Sequence, residues 1–400
     1  MVIGAVLTAV SALLFIPGLV LFVECMAALL PGGLFARQAA IVRPTVTVLV
    51  PAHNEAPGIR PTLEALLAQL APQDQLIVIA DNCNDDTANV AREVGATVIE
   101  RHDTERRGKG YALDFGVRFL DSQPPDVVVI VDADCLVSPG TIEAIAQLAA
   151  THNRPVQATY LLSQPAQPTP KDAVSMLAFT VKNLVRPTGL ARLGLPCPLT
   201  GTGMAFPWEV IKKATLASGN IVEDMNLGVD LALAGHPPLF CPAARVTGIL
   251  PQQTKAAKSQ RTRWEHGHLQ TILTQVPRLL NVGVQKGRFD LLAIALDLLV
   301  PPLSLLVMVW IVMLAIALLG IVLGTSVVPS ILLGITGVLI FTAILSAWAK
   351  FSRADLPLKM LLAVPFYILW KIPLYFTFLF KPQTQWVRTE RDAVNPPSKS

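Results

Sequence analysis

The sequence is poor in charged residues and in cysteine. Charged residues make up 15% of its 400 residues, against roughly a quarter in an ordinary soluble protein, which argues against a uniformly hydrated globular chain. The five cysteines are odd in number and scattered, without a Cys-x-x-Cys pair, so neither a disulfide framework nor a zinc site is expected. Basic tracts interleaved with aromatic residues are also missing, which argues against nucleic acid as a partner.

The sequence also lacks the glycine-rich signatures of the commonest nucleotide-binding folds. Its first predicted strand-to-helix turn reads Pro-Ala-His-Asn-Glu at 51–55, where a dinucleotide-binding fold has Gly-x-Gly-x-x-Gly. Gly108-Lys109-Gly110 is not a P-loop, because Gly-x4-Gly-Lys-Ser/Thr is absent. Both folds are therefore disfavoured.

Long apolar runs take the place of the missing charge. Residues 2–31 contain one charge, Glu24, and residues 298–323 and 327–349 contain none. Each run is long enough to cross about 30 Å of hydrocarbon. The first run is too long for the core of a signal peptide and lacks a basic start, so a retained membrane anchor is expected.

Basic residues predict the orientation of these spans. Arg37 and Arg43 follow the first run, and the loop 324–326 carries no charge, so the positive-inside rule places the central domain in the cytoplasm. We therefore expect a multi-pass protein of the cell membrane. Residues 356–380 contain two lysines and three prolines and precede further basic residues. This favours a helix at, or re-entering from, the cytoplasmic face, with a further span left open.

The alternation of apolar and polar segments predicts the domain organisation. Strand-like runs at 45–50, 76–80, 97–100 and 127–131 alternate with helix-like runs, which predicts an α/β fold with a doubly wound sheet of parallel strands. The full plan is a transmembrane helix at 1–31, a cytoplasmic domain at 44–260, an interfacial amphipathic helix region at 261–290, two transmembrane helices at 291–349, and at 350–400 an interfacial or re-entrant helix with a C-terminal tail.

The strand at 127–131 ends in two carboxylates, Asp132 and Asp134. Charges at the end of a buried strand are costly unless compensated, and a cation with oxygen ligands such as Mg²⁺ or Mn²⁺ is a usual partner. Ligands of open α/β sheets lie beyond the carboxyl ends of the strands. An ordinary strand exit also carries acids, so this pair alone leaves both interpretations open.

Other polar residues are expected near the same sheet edge. His53, Asn54 and Glu55 follow the first predicted strand, and Asp81 ends the second. Lys109 lies in a basic, glycine-containing loop that either faces a phosphate or is simply a solvated charge run.

Three segments further along the chain offer candidate functional groups. Thr200-Gly201-Thr202-Gly203 either lets a sugar approach the backbone or merely makes a turn. Glu223-Asp224 opens a helix-like stretch; Glu223 suits the positive end of the helix dipole, and Asp224 is a candidate general base. Gln260, Arg263 and Trp264 begin an amphipathic segment, where Arg and Trp either anchor the chain at a membrane surface or close the active site.

The order of these motifs resembles that of membrane-bound family 2 glycosyltransferases, the group of cellulose, hyaluronan and poly-N-acetylglucosamine synthases. The resemblance covers roughly residues 44–290. The residues that carry it are Pro51, Ala52, His53, Asn54, Glu55, Asp81, Asp132, Ala133, Asp134, Glu223, Asp224, Gln260, Arg263 and Trp264.

The resemblance implies a GT-A (Rossmann-like) catalytic domain flanked by transmembrane helices, an inverting mechanism and a nucleotide-diphosphate sugar donor, usually UDP-linked. It implies that Asp81 binds the uridine, that Asp132 binds the ribose or the metal, and that Asp134 holds the metal. Asp224 would be the base beside Glu223, and Gln260, Arg263 and Trp264 would hold the diphosphate and the acceptor sugar.

The resemblance leaves the acceptor open. Val222 precedes the acidic pair where many members have Thr, and the cellulose-synthase gating loop is not visible. Polysaccharide synthesis and single transfer to a lipid-linked acceptor therefore both remain, with membrane lipids and export proteins as further partners. A non-catalytic membrane subunit that assists polysaccharide export is the alternative from another class.

Overall fold

The computed structural model describes residues 2–31, 42–163, 169–217, 222–249, 254–354 and 356–380. Its helices in chain order are α1 (Val2–Ala27), α2 (Ile59–Leu67), α3 (Thr87–Val94), α4 (Lys109–Phe119), α5 (Thr141–His152), α6 (Pro170–Thr180), α7 (Arg186–Arg192), α8 (Trp208–Ile211), α9 (Glu223–Leu233), α10 (Thr254–Lys286), α11 (Phe289–Leu299), α12 (Leu303–Val322), α13 (Val328–Phe351) and α14 (Val364–Phe380). Its strands are β1 (Val46–Ala52), β2 (Gln75–Asp81), β3 (Thr97–Arg101), β4 (Val127–Ile130), β5 (Cys135–Val137), β6 (Val156–Ser163), β7 (Met204–Pro207) and β8 (Leu239–Ile249).

The described residues divide into two compact units. A sheet unit contains residues 42–163 and 197–267, and a helical unit contains residues 2–31, 169–196 and 268–380. The segment 169–196, with α6 and α7, therefore belongs to the helical unit although it lies between β6 and β7 in the sequence. The sequence pattern did not separate this segment from the domain expected at 44–260.

The sheet has eight strands in the order β3-β2-β1-β4-β7-β6-β8-β5. The first four of these strands are mutually parallel, as the alternation of helices and strands predicts. The other half is mixed, since β7 is antiparallel to both β4 and β6. The expectation of parallel strands, which rests on the runs at 45–131, is confirmed for β1 to β4. The sequence pattern assigns no strands in the other half, where, among the described strands, only β6 and β8 pair in parallel.

Apolar side chains cover both faces of the sheet. Val46, Val48 and Val50 of β1 face the core that contains α2, α3 and α5. Leu49 of the same strand faces the core that contains α4, α8 and α9. This three-layer arrangement explains why β1, β2 and β4 are mostly apolar, and it confirms the expected α/β class.

In the helical unit, four helical segments are long and apolar enough to cross a membrane: Val2–Ala27, Leu303–Val322, Val328–Phe351 and Leu358–Phe378. The first three coincide with the charge-poor runs of the sequence. The last covers the segment for which a re-entrant or interfacial helix is favoured, and that preference stays a prediction.

A buried group of charges joins three helices of this unit. Arg186, at the start of α7, donates from Nε to the Glu24 carboxylate on α1 and from Nη2 to the Asp297 carboxylate on α11, each at 2.6 Å. All three side chains are less than a tenth exposed. A Cβ on Gly189, one turn further along α7, would lie 1.9 Å from the Glu24 carbonyl oxygen, so α7 and α1 pack backbone to backbone.

Candidate active site

Two carboxylates and a thiol lie together just beyond the end of β4. The candidate ligand atoms of Asp132, Asp134 and Cys135 all lie within 4.8 Å of one another. Both carboxylates are partly exposed, whereas Cys135 is buried and its Sγ lies 3.6 Å from Oδ1 of Asp134. The oxygen ligands fit the divalent cation expected there. Sequence reasoning missed Cys135, although it directly follows Asp-Ala-Asp.

Lys109 points toward this carboxylate pair. It is the first residue of α4, and its Nζ donates to Asp132 Oδ1 and, at 2.6 Å, to the carbonyl of Gly201. Burial alone would lower the pKa of Lys109, but the charges of Asp132, Glu223 and Asp224 outweigh it and raise the pKa. Lys109 therefore stays charged and is already bound by protein groups, whereas Arg107 of the same loop is exposed.

The turn formed by residues 200–203 is held from two sides. Gly201 and Gly203 have φ of +96° and +64°, and a Cβ on Gly203 would lie 2.6 Å from Val246, so glycine is required there. The Thr202 hydroxyl accepts from the Asp132 amide at 3.0 Å. Residues 200–203 are thereby fixed against the end of β4.

Gln157, a buried residue of β6, holds the other side of the 200–203 turn. Its side-chain oxygen accepts from the Thr200 amide and its Nε2 donates to the Thr202 carbonyl, both at 2.8 Å. Sequence reasoning missed this residue. A single glutamine in a strand does not indicate which backbone groups its side chain hydrogen-bonds.

Glu223 and Asp224 form the first turn of α9, as their position in the sequence predicts. Asp224 Oδ2 lies 3.2 Å from the point that a Cβ on Gly201 would occupy, which brings this carboxylate to the 200–203 turn. Burial, with the nearby Asp224 charge, raises the pKa of Glu223 to about 7, against the opposing charges of Lys109 and Arg263.

These groups line a narrow recess in the sheet unit. Charged side chains form one part of its wall and apolar side chains the rest; the lining residues are Lys109, Gly110, Leu113, Met204, Thr215, Leu216, Glu223, Asp224 and Leu227. A polar reacting group beside an apolar wall is the usual composition of a small-molecule site.

Asp81, at the end of β2, is paired inside the sheet unit. Its Oδ1 accepts from Arg101 Nη1 at 2.6 Å and from Asn82 Nδ2 at 3.0 Å, and its carbonyl lies 2.7 Å from His53 Nδ1. Arg101 ends the neighbouring strand β3, and sequence reasoning missed it.

The residues that follow β1 serve the neighbouring loop. Ala52 ends the strand, the Asn54 side chain accepts from the Asn84 amide at 2.8 Å, and the Glu55 amide donates to the Thr87 hydroxyl at 2.8 Å. Asn54 has φ of +55°, a left-handed conformation that asparagine tolerates better than most residues. The motif at 51–55 thus holds the loop that follows β2.

Gln260, Arg263 and Trp264 lie inside α10. Gln260 is buried, and its side-chain oxygen, like the Nε of Arg263, has no hydrogen-bond partner within the part of the chain described. A Cβ on Gly267 would lie 2.4 Å from Val222, so α10 passes close to the start of α9. The charge of Arg263 accordingly acts on Glu223.

The structure thus brings Lys109, Asp132 and the Glu223-Asp224 pair together. Asp134 and Ala133 follow on the same strand exit. Asp81 and the 52–55 segment form a second polar network at neighbouring strand ends, and Gln260 and Trp264 lie with Arg263 on α10.

Comparisons with known proteins identify the family of the chain. The profile of the family described as "Glycosyltransferase like family 2" matches residues 44–267, more than half of the chain. Over 276 residues the chain is 27% identical to "Probable glycosyltransferase YdaM" of Bacillus subtilis (strain 168), covering 62% of this chain and 61% of that one. A 4,4'-diaponeurosporenoate glycosyltransferase of Staphylococcus haemolyticus (strain JCSC1435) is 34% identical over 108 residues, 26% of this chain and 28% of that one. The chain thus spans less than two thirds of the length of either relative.

Among solved structures, the chain is similar to mannosyltransferase PcManGT from Pyrobaculum calidifontis in complex with GDP-Man and Mn²⁺. The TM-score is 0.52 at 21% identity, with 86% of this chain and 99% of that chain covered. This likeness confirms the GT-A-type fold that the resemblance implies. Because the family profile spans the whole sheet unit, whose strand ends carry the motif acids, the chain belongs to glycosyltransferase-like family 2.

Proposed function

We propose that the protein is a membrane-anchored, metal-dependent, inverting glycosyltransferase. It transfers a sugar from a nucleotide-diphosphate sugar, with UDP as the favoured nucleotide, to a polysaccharide or lipid-linked acceptor at the cytoplasmic face. The observation that carries this proposal is the convergence of Lys109, Glu223 and Asp224 on one recess, with Asp132 bound to the Lys109 ammonium. The family membership supports it, as do the GDP-Man and Mn²⁺ of the Pyrobaculum calidifontis structure.

Asp134 and Asp132 are the residues that would hold Mg²⁺ or Mn²⁺. Their carboxylate oxygens lie close enough to share one ion, and hard divalent cations prefer such ligands. The ion, when bound, neutralises the charge that develops on the leaving diphosphate. Asp81, with Ala52 to Glu55 beside it, binds the nucleoside end of the donor in this proposal.

Asp224 acts as the general base. Its carboxylate takes the proton of the acceptor hydroxyl, whose oxygen forms a bond to the anomeric carbon while the bond from that carbon to the diphosphate oxygen breaks. The electron pair of the broken bond leaves with the nucleoside diphosphate, and in-line attack inverts the anomeric configuration. Gln260 and Arg263, each with an unpartnered buried polar atom among the described residues, bind the diphosphate, and Trp264 stacks on the acceptor.

Two kinds of acceptor are each supported by one observation. One relative is named for 4,4'-diaponeurosporenoate, which is not a polysaccharide, and this supports single transfer to a lipid-like acceptor. The resemblance to polysaccharide synthases supports repeated transfer. A non-catalytic subunit that assists export, the alternative from another class, predicts that the purified protein releases no nucleoside diphosphate from any nucleotide sugar.

Mass spectrometry of products tests the proposal. Membranes containing the protein are incubated with labelled UDP- and GDP-sugars, and both lipid and polymer fractions are analysed. We expect a labelled product that disappears with EDTA and returns with Mg²⁺ or Mn²⁺. Full activity without metal would contradict the role of Asp134, and absence of any product and of nucleotide release would favour the non-catalytic subunit.

Asp224→Asn is the matched variant. It should lower turnover by about 10²–10⁴-fold, because general-base catalysis contributes about that much, while donor binding measured by calorimetry persists. Asp230→Asn, an exposed change on the same helix, should leave turnover unchanged. Normal turnover of Asp224→Asn in purified membranes would contradict the assignment of the base.

A further inference from the structure

The Lys109 ammonium lies between two parts of the site that come from distant parts of the sequence. One partner is Asp132 at the end of β4, and the other is the Gly201 carbonyl, 2.6 Å away in the 200–203 turn. An ammonium has three hydrogens to donate, and two are directed at these groups. The lysine therefore connects the strand exit to the turn beside Asp224.

This bridge uses a carboxylate that the proposed cation also needs. Asp132 and Lys109 are 31% and 19% exposed, so solvent screens their attraction only in part. A divalent ion that binds Asp132 must share this carboxylate with the ammonium or displace it. Its apparent affinity is therefore reduced as long as Lys109 stays charged.

The negative charge of the surrounding carboxylates favours a lysine at this position. Asp132, Asp134, Glu223 and Asp224 are four acids in one region, and the charge of Lys109 acts directly on three of them. Without a cation these carboxylates repel one another, which costs free energy. A cation built into the chain offsets part of that repulsion before any ion or donor is bound.

We propose that Lys109 is a positioning residue that acts as an internal counter-ion: its ammonium ties Asp132 to the 200–203 turn and competes with the divalent cation for Asp132. This inference rests on the proposed function, because it uses Asp132 as a metal ligand. It differs from the sequence-based interpretation of Lys109 as a phosphate-facing residue, in which the ammonium is free to meet the donor.

The proposal is tested by titrating the protein with Mn²⁺ in the absence of nucleotide. Binding is measured by calorimetry and by the electron paramagnetic resonance signal of free Mn²⁺. Lys109→Met and Lys109→Gln both remove the charge, and each should bind Mn²⁺ roughly tenfold more tightly than the unaltered protein. Turnover should fall in both variants. It should fall less in Lys109→Gln, whose amide can still donate to the Gly201 carbonyl.

Arg107→Met is the matched control. Arg107 is two residues away, exposed, and donates to the Thr104 carbonyl, so its loss removes the same charge from the loop without touching the carboxylates. We expect its Mn²⁺ affinity to stay within about twofold of that of the unaltered protein. An equal gain in Arg107→Met would mean that the effect is a general change of net charge, which overturns the proposal.

Two other results would overturn it. Unchanged or weaker Mn²⁺ binding in both Lys109 variants, with unfolding temperatures near that of the unaltered protein, contradicts competition for Asp132. A loss of UDP affinity with unchanged Mn²⁺ affinity would make Lys109 a phosphate ligand instead. Failure of sugar transfer with the Mn²⁺ effects intact would contradict only the proposed function.

Discussion

Gln157 shows how a residue remote from the motif acids shapes the site. Its side chain pairs the Thr200 amide and the Thr202 carbonyl, and Thr202 in turn accepts from the Asp132 amide. A chain of hydrogen bonds thus runs from β6 through the 200–203 turn to the exit of β4. Such a network places backbone groups to within a fraction of an ångström, as a reacting site requires.

Gln157→Met should lower turnover by about tenfold or more while donor affinity changes little. The substitution keeps the side-chain length but leaves two buried backbone groups unpaired, at about 1–3 kcal/mol each, so the turn loses its fixed position. Steady-state kinetics and donor calorimetry measure the two effects separately. Equal losses in turnover and donor affinity would contradict a role confined to the turn.

Thr159→Val is the control for this prediction. Thr159 lies two residues away on the same strand and is equally buried, and its hydroxyl has no hydrogen-bond partner within the described chain. The change conserves shape, so it should leave turnover unchanged. A comparable loss in Thr159→Val would mean that any change in β6 disturbs the site.

Sequence reasoning named the motif acids and left Lys109 open between a phosphate-facing residue and a solvated charge, but it did not find the residues that hold them. Asp132, Asp134 and Glu223-Asp224 are recognisable because they follow or open predicted elements and occur in a known order. Gln157 and Arg101 were missed because their partners lie far away: Gln157 bonds to residues 43 and 45 positions away. Such partners are determined by the fold, and no local pattern records them.

At the scale of elements, β1 to β4 were predictable and β5 to β8 were not. Helices separate the first four strands, and β1, β2 and β4 are almost fully buried, so their apolar runs are clear in the sequence. β5 and β7 have only three and four residues, too few to show a period. β8 directly follows a turn after α9, and its pairing with both β5 and β6 depends on the assembled sheet.

The helices α1, α7 and α11 are joined by the Glu24–Arg186–Asp297 group, and its loss should be costly. Arg186→Leu leaves two carboxylates buried without their cation, which destabilises by about 3–5 kcal/mol. We expect a clear drop in the unfolding temperature of the protein in detergent. The folded fraction that remains after heating is measured by size-exclusion chromatography. Replacing all three residues together, with Glu24→Leu, Arg186→Met and Asp297→Leu, should restore most of the loss, because no charge is then left unpaired.

The control for this prediction is Arg278→Leu, which removes an exposed arginine of the same unit. Surface changes of this kind usually stay within about 0.5 kcal/mol. If Arg186→Leu unfolds no earlier than Arg278→Leu, the buried group contributes no net stability. If the triple variant is less stable than Arg186→Leu alone, the loss of stability in Arg186→Leu does not come from the unpaired carboxylates.

At the scale of the whole molecule, the chain leaves the sheet unit for the helical unit and returns to it. The segment 169–196 belongs to the helical unit, and both of its ends connect to strands of the sheet, β6 and β7. Composition located the flanking apolar runs correctly, because hydrocarbon tolerates few charges. Composition did not show that the segment 169–196 belongs to the helical unit, because this segment has an ordinary mixture of polar and apolar residues.

The orientation expected from the basic residues leads to a labelling prediction. Ser326 lies in the exposed loop between α12 and α13, and Arg107 is exposed in the sheet unit. If the sheet unit is cytoplasmic, a membrane-impermeant maleimide should label Ser326→Cys in intact cells and Arg107→Cys only after permeabilisation. The unaltered protein is the control, since Cys83 is only partly exposed and the other four cysteines are buried.

Ser400→Cys tests whether α14 crosses the membrane. It should behave like Arg107→Cys if α14 does not cross the membrane, and like Ser326→Cys if it does. Labelling of Arg107→Cys in intact cells would place the sheet unit outside, where a cytoplasmic nucleotide-sugar donor could not reach it.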